Sequence, residues 1–140
     1  MTLRLHLPAA LTNTILTHAG WAYPKECCGL IEGLRDESGV RALLLHEVRN
    51  VAADPRTHFE IDPAAHFRLA RSLRGTGREI VGCYHSHPDA LAEPSATDRA
   101  GAAEEGFFWL IAGGNPQSWF TLKAYVFTDG DFRSVVIEDR

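Results

Sequence analysis

Apolar residues recur along the chain with periods typical of helices and of strands. Leu11, Ile15 and Ala19 repeat every four positions, which predicts a helix over residues 7–22 with one buried face. Residues 41–51 divide into two alternating sets of side chains, which predicts a strand. Shorter apolar segments predict further strands at 25–33, 59–61, 78–84 and 107–112, and a hairpin with strands at 120–127 and 132–137.

Two more helices are predicted from their start signals. Asp62 followed by Pro63 is typical of an N-cap residue and the first helical position. The inward face of that helix is predicted to carry Phe67, Ala70 and Leu73. A third helix is predicted over residues 95–105. The order of these elements favours an α/β (α+β) sandwich with a mixed, mostly antiparallel β-sheet.

Length and composition narrow the class of protein. With 140 residues, 45% of them hydrophobic and 23% charged, the sequence predicts a single domain over residues 1–140. The net charge of -4, with no dense Lys/Arg cluster, makes nucleic acid a poor partner. No apolar run approaches the roughly 20 residues that span a bilayer, so no membrane partner is expected. Three cysteines, two of them adjacent, predict no disulfide framework and favour a cytoplasmic setting.

Candidate chemistry is concentrated in residues 84–98. His85 and His87 lie two positions apart at the end of a predicted strand, so both side chains point to one face and can bind one ion. Ser86 points to the opposite face and can only support the site. Asp98 supplies a third ligand, and two His with one Asp leave a fourth position open, as catalytic zinc sites do.

Each half of this stretch also has a plain structural interpretation. His-x-His alone can be a pair of strand-end histidines, and Ser95 followed by Asp98 is typical of a helix N-terminal cap. Asp89 and Glu93 are rival carboxylate ligands in the loop between the halves. Cys83 is a further rival, because it shares the strand face of the histidines and thiolate binds zinc well. Its alternative role is that of a small buried core residue.

A hydrolytic metal site also needs a group that moves protons. Zinc lowers the pKa of its bound water toward ~7, and a nearby carboxylate can take that proton and return it to the leaving amine. Glu26 is the candidate, because a charge at the entrance of an apolar strand is costly without a role or a partner. A solvated strand-end glutamate beside Lys25 is the alternative. The hydroxyl of Ser95 can donate to the oxyanion that forms when water adds to an amide.

Several motifs together resemble the JAMM (MPN-plus) metalloprotease family. They are Glu26, the run His85-x-His87-Pro88, the seven residues from Pro88 to Pro94, and Ser95-x-x-Asp98. The similarity extends to residues 24–33, 59–63 and 82–88, and so covers nearly the whole chain. The resemblance implies one zinc ion bound by His85, His87 and Asp98, with Glu26 as general base and acid and Ser95 stabilising the tetrahedral intermediate. It also implies a curved sheet flanked by helices, the MPN (cytidine-deaminase-like) fold.

The resemblance carries an expected function. Members of the family hydrolyse the peptide or isopeptide bond after the C-terminal tail of ubiquitin or a ubiquitin-like protein. This chain is similar to the small stand-alone prokaryotic members, which are associated with sulfur-carrier proteins ending in Gly-Gly. The implied function is therefore a zinc-dependent peptidase or isopeptidase acting on such a partner. Two alternatives stay open: a non-catalytic MPN scaffold, and a DNA-related protein similar to the RadC group.

Overall fold

The strands join into one sheet in the computed structural model, which describes residues 4–139. They are β1 (Leu5–His6), β2 (Cys28–Asp36), β3 (Gly39–Val48), β4 (Glu79–Pro88), β5 (Phe107–Asn115), β6 (Trp119–Thr128), β7 (Asp131–Val135) and β8 (Ile137–Glu138). Their order across the sheet is β7-β6-β5-β4-β2-β3-β1-β8. The helices are α1 (Ala9–Ala22), α2 (Pro63–Ser72) and α3 (Ala96–Gly101). None of the helices in the described residues is long and apolar enough to cross a membrane.

The sheet is mixed but mostly antiparallel. Among the described strands, β1 runs parallel to β3 and β8, β4 runs parallel to β5, and the other pairs are antiparallel. α1 packs on one face through Ile15 and Ala19. α2 packs on the other face through Leu69. This arrangement confirms the predicted fold class.

β4 carries both histidines to the edge of the core. It continues through Pro88, beyond the predicted end at residue 84, and its ladder with β5 pairs His87 with Gly113. Pro88 ends the strand because proline has no N–H to donate. A Cβ at Gly113 would lie 2.4 Å from the backbone nitrogen of Ala92, so glycine lets the loop after β4 lie directly on β5.

Some elements differ from the sequence prediction. β1 and β8 are two-residue strands that pair with each other, and so short a segment shows no hydrophobic period. Residues 59–61 form only an isolated bridge between Ile61 and Asn50. α3 ends at Gly101 rather than at residue 105, because Ala102 already has an extended backbone.

α2 begins at Pro63 with Asp62 as its N-cap, as predicted, but packs with a different face. The half-buried positions of the helix are Ala65 and Leu69, and Leu73 at the C-cap is half-buried as well. Phe67 is 58% exposed, and Ala70 is exposed as well. The predicted inward orientation of Phe67 and Ala70 is wrong, because the packed stripe runs through residues spaced four apart.

Glu32 is a buried carboxylate in the middle of β2. It is 4% exposed and accepts hydrogen bonds from Arg78 (Nη1–Oε2, 2.8 Å) and from His46 (Nε2–Oε1, 2.9 Å). Burial opposes ionisation, but these bonds outweigh it and lower the pKa of Glu32 below its ordinary value.

We expect Glu32→Gln to lower the free energy of unfolding by about 2 kcal/mol at neutral pH, because it weakens hydrogen bonds to a charged group. Since the folded-state pKa is lowered, the carboxylate stabilises the fold above the unfolded pKa, and the contribution is lost as the pH falls through the folded value. Urea unfolding should therefore show a difference between wild type and variant that shrinks in acid. Glu79→Gln, which breaks the more exposed pair with Arg35, should cost less than about 1 kcal/mol. Equal losses in the two variants would contradict the prediction.

Candidate metal centre

Three side chains converge at the C-terminal end of β4. The Nε2 atoms of His85 and His87 are 2.9 Å apart, and Oδ2 of Asp98 lies 3.3 Å from the first and 3.2 Å from the second. All three residues are buried. An ion with bonds of about 2.0–2.1 Å has tetrahedrally placed ligands about 3.3 Å apart. The triangle therefore has the size expected of three zinc ligands.

The tautomer of His87 shows what the triangle can hold. Its Nδ1 lies 3.2 Å from the carbonyl of Leu91, which only accepts, so Nδ1 carries the proton. When the ring is neutral, its Nε2 lone pair is directed toward the Asp98 carboxylate, which also only accepts. Acceptors at this distance need a proton or a cation between them, and imidazole with carboxylate suits a zinc-like cation. Nδ1 of His85 is buried without a hydrogen-bond partner among the described residues.

The charge of the triangle is centred on Asp98. Burial opposes its ionisation, but hydrogen bonds with both histidines hold the pKa of the Asp98 carboxyl well below its usual range. Burial lowers the pKa of His85. Burial acts on His87 in the same direction, yet the Asp98 carboxylate raises the pKa of His87 above its ordinary value. Asp98 is thus an anion in the folded protein, as a metal ligand must be.

The cap of α3 and the triangle share Asp98. Oγ of Ser95 accepts from the N–H of Asp98 at 3.0 Å, and the N–H of Ser95 donates to Oδ2 of Asp98 at 2.9 Å. This reciprocal capping box confirms the structural interpretation of the Ser95-x-x-Asp98 motif. It also directs Oδ2 toward the histidines, so capping and ligation are compatible. The hydroxyl of Ser95 accepts in this box, and its own proton is left to donate elsewhere.

Glu26 lies two residues before the start of β2, beside the histidine pair. It is 6% exposed, and ligand atoms of Glu26, His85 and His87 all lie within 4.8 Å of one another. Burial raises the pKa of Glu26 to about 7, against the opposing effect of His87 and together with that of Asp98. A carboxyl group that titrates near neutrality can both accept and return a proton. Glu26 also lines a cavity of about 680 Å³.

Ser86 ties the strand of the histidines to the segment of Glu26. Its Oγ accepts from the N–H of Cys27 at 2.8 Å, and its own N–H donates to the carbonyl of Cys27 at 3.2 Å. The side chain lies on the face opposite the triangle, as predicted, and supports the site from there.

The other sequence candidates lie elsewhere. The carboxylate of Asp89 accepts from the hydroxyl of Tyr23 at 2.7 Å and from the amide of Asn115 at 3.0 Å. Glu93 is exposed. Cys83 packs in the core with Trp109, and burial raises the pKa of its thiol well above the ordinary value. A thiol held neutral by its surroundings is a poor ligand, which favours the core role of Cys83.

Two residues of the site have no signal in the sequence. The ring of Phe59 stacks on the imidazole of His85, with centroids 4.1 Å apart and planes at 18°. Nδ2 of Asn50 lies 3.0 Å from the carbonyl oxygen of Glu26. In the sequence, Asn50 is an ordinary loop residue and Phe59 belongs to a short apolar segment. Their roles depend on contacts with residues more than twenty positions away.

The chain is similar in sequence and in structure to several known proteins. A family model described as prokaryotic homologues of the JAB domain matches residues 8–125. A desampylase from Haloferax volcanii is 40% identical, over 96% of this chain and 97% of that protein. A CysO-cysteine peptidase from Mycobacterium tuberculosis is 27% identical, over 90% of this chain and 84% of that protein. The solution structure of a protein from Desulfitobacterium hafniense is 27% identical and matches with a TM-score of 0.79, over 97% of this chain and 94% of that one.

Proposed function

The chain belongs to the family of prokaryotic JAB-domain proteins, and on that basis we propose that it is a zinc-dependent peptidase or isopeptidase. Family membership confirms the resemblance to JAMM (MPN-plus) proteins. The observation that carries the proposal is the buried triangle of His85, His87 and Asp98, with donor atoms 2.9–3.3 Å apart. One zinc ion is the proposed occupant.

Two carboxylates neighbour the histidine pair, and their contacts and their pKa values indicate different roles. Oδ2 of Asp98 is at ligand spacing from both Nε2 atoms, so we assign it with the histidines as the zinc ligands. A ligand atom of Glu26 lies within 4.8 Å of those of both histidines, and burial raises the pKa of Glu26 to about 7, so we assign it as general base and acid. Zinc held by His85, His87 and Asp98 would act as a Lewis acid that polarises the scissile carbonyl and acidifies the attacking water. Glu26 takes a proton from that water and passes it to the leaving amine, while Ser95 donates to the developing oxyanion.

The proposed substrate is a ubiquitin-like or sulfur-carrier protein with a C-terminal Gly-Gly, cleaved after the second glycine. One relative is named a desampylase and another a CysO-cysteine peptidase, which supports this class of partner. The cavity lined by Glu26, Asn50 and Pro55 is the proposed approach of the extended tail to the Glu26 carboxylate. Glycine residues suit such an approach because they present no side chain. A reducing cytoplasm suits the three buried free thiols, Cys27, Cys28 and Cys83.

The two alternatives find no support in the described residues. A non-catalytic scaffold has no need of a buried triangle with a fourth titratable group beside it. A DNA-related role is disfavoured by the net charge of -4.

The proposal is tested by intact-mass analysis of a cleavage reaction. The substrate is a Gly-Gly-ending sulfur-carrier protein from the same organism, extended by one amino acid or joined to a lysine side chain. The zinc-loaded protein should release the extension or the lysine partner, a chelator should stop the reaction, and added zinc should restore it. The same carrier with its Gly-Gly replaced by Val-Val should resist cleavage. Failure to cleave either form of substrate with zinc bound would refute the proposal.

A further inference from the structure

Asn50 uses the whole hydrogen-bonding capacity of its side chain. Its Nδ2 donates to the carbonyl of Glu26 at 3.0 Å and to the carbonyl of His58 at 2.9 Å. Its Oδ1 accepts from the N–H of Ala52 and from the N–H of Glu60, both at 3.0 Å. Because two carbonyls face one side of the amide and two N–H groups face the other, the network fixes its orientation.

These bonds reach both halves of the candidate site. Glu26 precedes the first residue of β2, so the sheet does not hold its backbone. Its N–H donates to the carbonyl of Pro55 at 2.7 Å and its carbonyl accepts from Asn50, so the segment 50–60 holds it on both sides. The same side chain also bonds to the carbonyl of His58 and to the N–H of Glu60, the residues before and after Phe59. The ring of Phe59 stacks on His85.

We propose that Asn50 is a positioning residue that sets Glu26 against the metal ligands and holds Phe59 on His85. The inference rests on the proposed function, because it assigns Asn50 a role in the same reaction. It acts through Glu26 and Phe59 and has no contact with the reacting atoms. Its bond to Ala52 is a local turn interaction of the kind asparagine makes in many loops. The other three bonds span 8, 10 and 24 positions and are not needed for such a turn.

The test compares Asn50→Ala and Asn50→Asp with wild type. Asn50→Asp keeps the size and the two acceptor bonds, but turns a carboxylate oxygen toward two carbonyls. For both variants, kcat should fall by about 10- to 100-fold with KM nearly unchanged, since a misplacement of about 1 Å can cost 10²-fold in rate. Zinc affinity, read by chelator competition without substrate, should fall by about 10-fold, the loss typical of groups that orient a ligand. Glu32→Gln serves as the control for general destabilisation and should change neither quantity.

A double-mutant cycle separates positioning from mere stability. If Asn50 acts on turnover through Glu26, then Glu26→Gln with Asn50→Ala should be no slower than Glu26→Gln alone. Losses that multiply in the double variant, or a zinc affinity within twofold of wild type, would overturn the inference. If wild type cleaves nothing, the proposed function fails, and the zinc competition still decides whether Asn50 supports His85. The two Asn50 variants keep the test usable if one of them does not fold.

Discussion

Glu26→Gln is expected to reduce kcat about 1,000-fold while one zinc ion per chain stays bound. Glutamine has the size of glutamate but cannot take a proton from water at neutral pH, and positioned acid–base groups contribute about 10²–10⁴-fold. Zinc should remain because Glu26 lies outside the triangle of His85, His87 and Asp98, whose atoms are 2.9–3.3 Å apart. The cleavage assay measures the rate, and metal analysis of the purified variant measures the zinc.

The matched control is the same substitution on a carboxylate far from the site. Glu79 begins β4 at the end opposite the histidines, and its side chain is 51% exposed. Glu79→Gln should retain both full activity and zinc. If Glu26→Gln keeps more than a tenth of the wild-type rate, Glu26 is not the base. If it loses zinc together with activity, Glu26 is a ligand, which its distance within 4.8 Å of the histidines makes a real alternative.

The position of Glu26 follows from strand register, which explains why the sequence alone did not place it. The ladder between β2 and β4 pairs Cys28 with His85, in antiparallel order. Because the strands are antiparallel, the position two residues before Cys28 lies opposite the position two residues after His85. This register brings Glu26 beside His87. Register between strands separated by more than forty residues is set by packing and turns, and no local pattern records it. At the level of the sequence, only the resemblance to a family linked Glu26 to the histidine pair.

Local sequence patterns predicted the structure correctly where it depends on one segment of the chain alone. The alternation rule placed His85 and His87 on one face, and Asp62 with Pro63 marked the start of α2. The prediction failed where the structure depends on contacts with segments that are distant in the sequence. Phe67 was expected inward because the pattern of α2 does not show which face meets the sheet. β1 and β8 form by pairing with strands that are distant in the sequence: β1 pairs with β3 and with β8, and β8 pairs with β1.

Asp98→Ala is expected to weaken zinc binding at least about 100-fold and to reduce activity in proportion at limiting zinc. Losing even a group that only orients a ligand costs about 10–100-fold in affinity. Asp98 contributes one of the three atoms of the triangle and the only anion among them. Chelator competition measures the affinity, and cleavage assays across a zinc titration should show activity recovering only at high zinc.

The same substitution also removes a helix cap, so loss of the cap must be separated from loss of a ligand. Ser95→Ala removes the Oγ that accepts from the N–H of Asp98, which should cost about 1 kcal/mol of stability, but it keeps all three ligand atoms. A metal that binds only the folded state raises the free energy of unfolding. Zinc should therefore stabilise wild type and Ser95→Ala, and leave Asp98→Ala almost unchanged. If zinc stabilises Asp98→Ala as strongly as wild type, Asp98 is a helix cap and not a ligand.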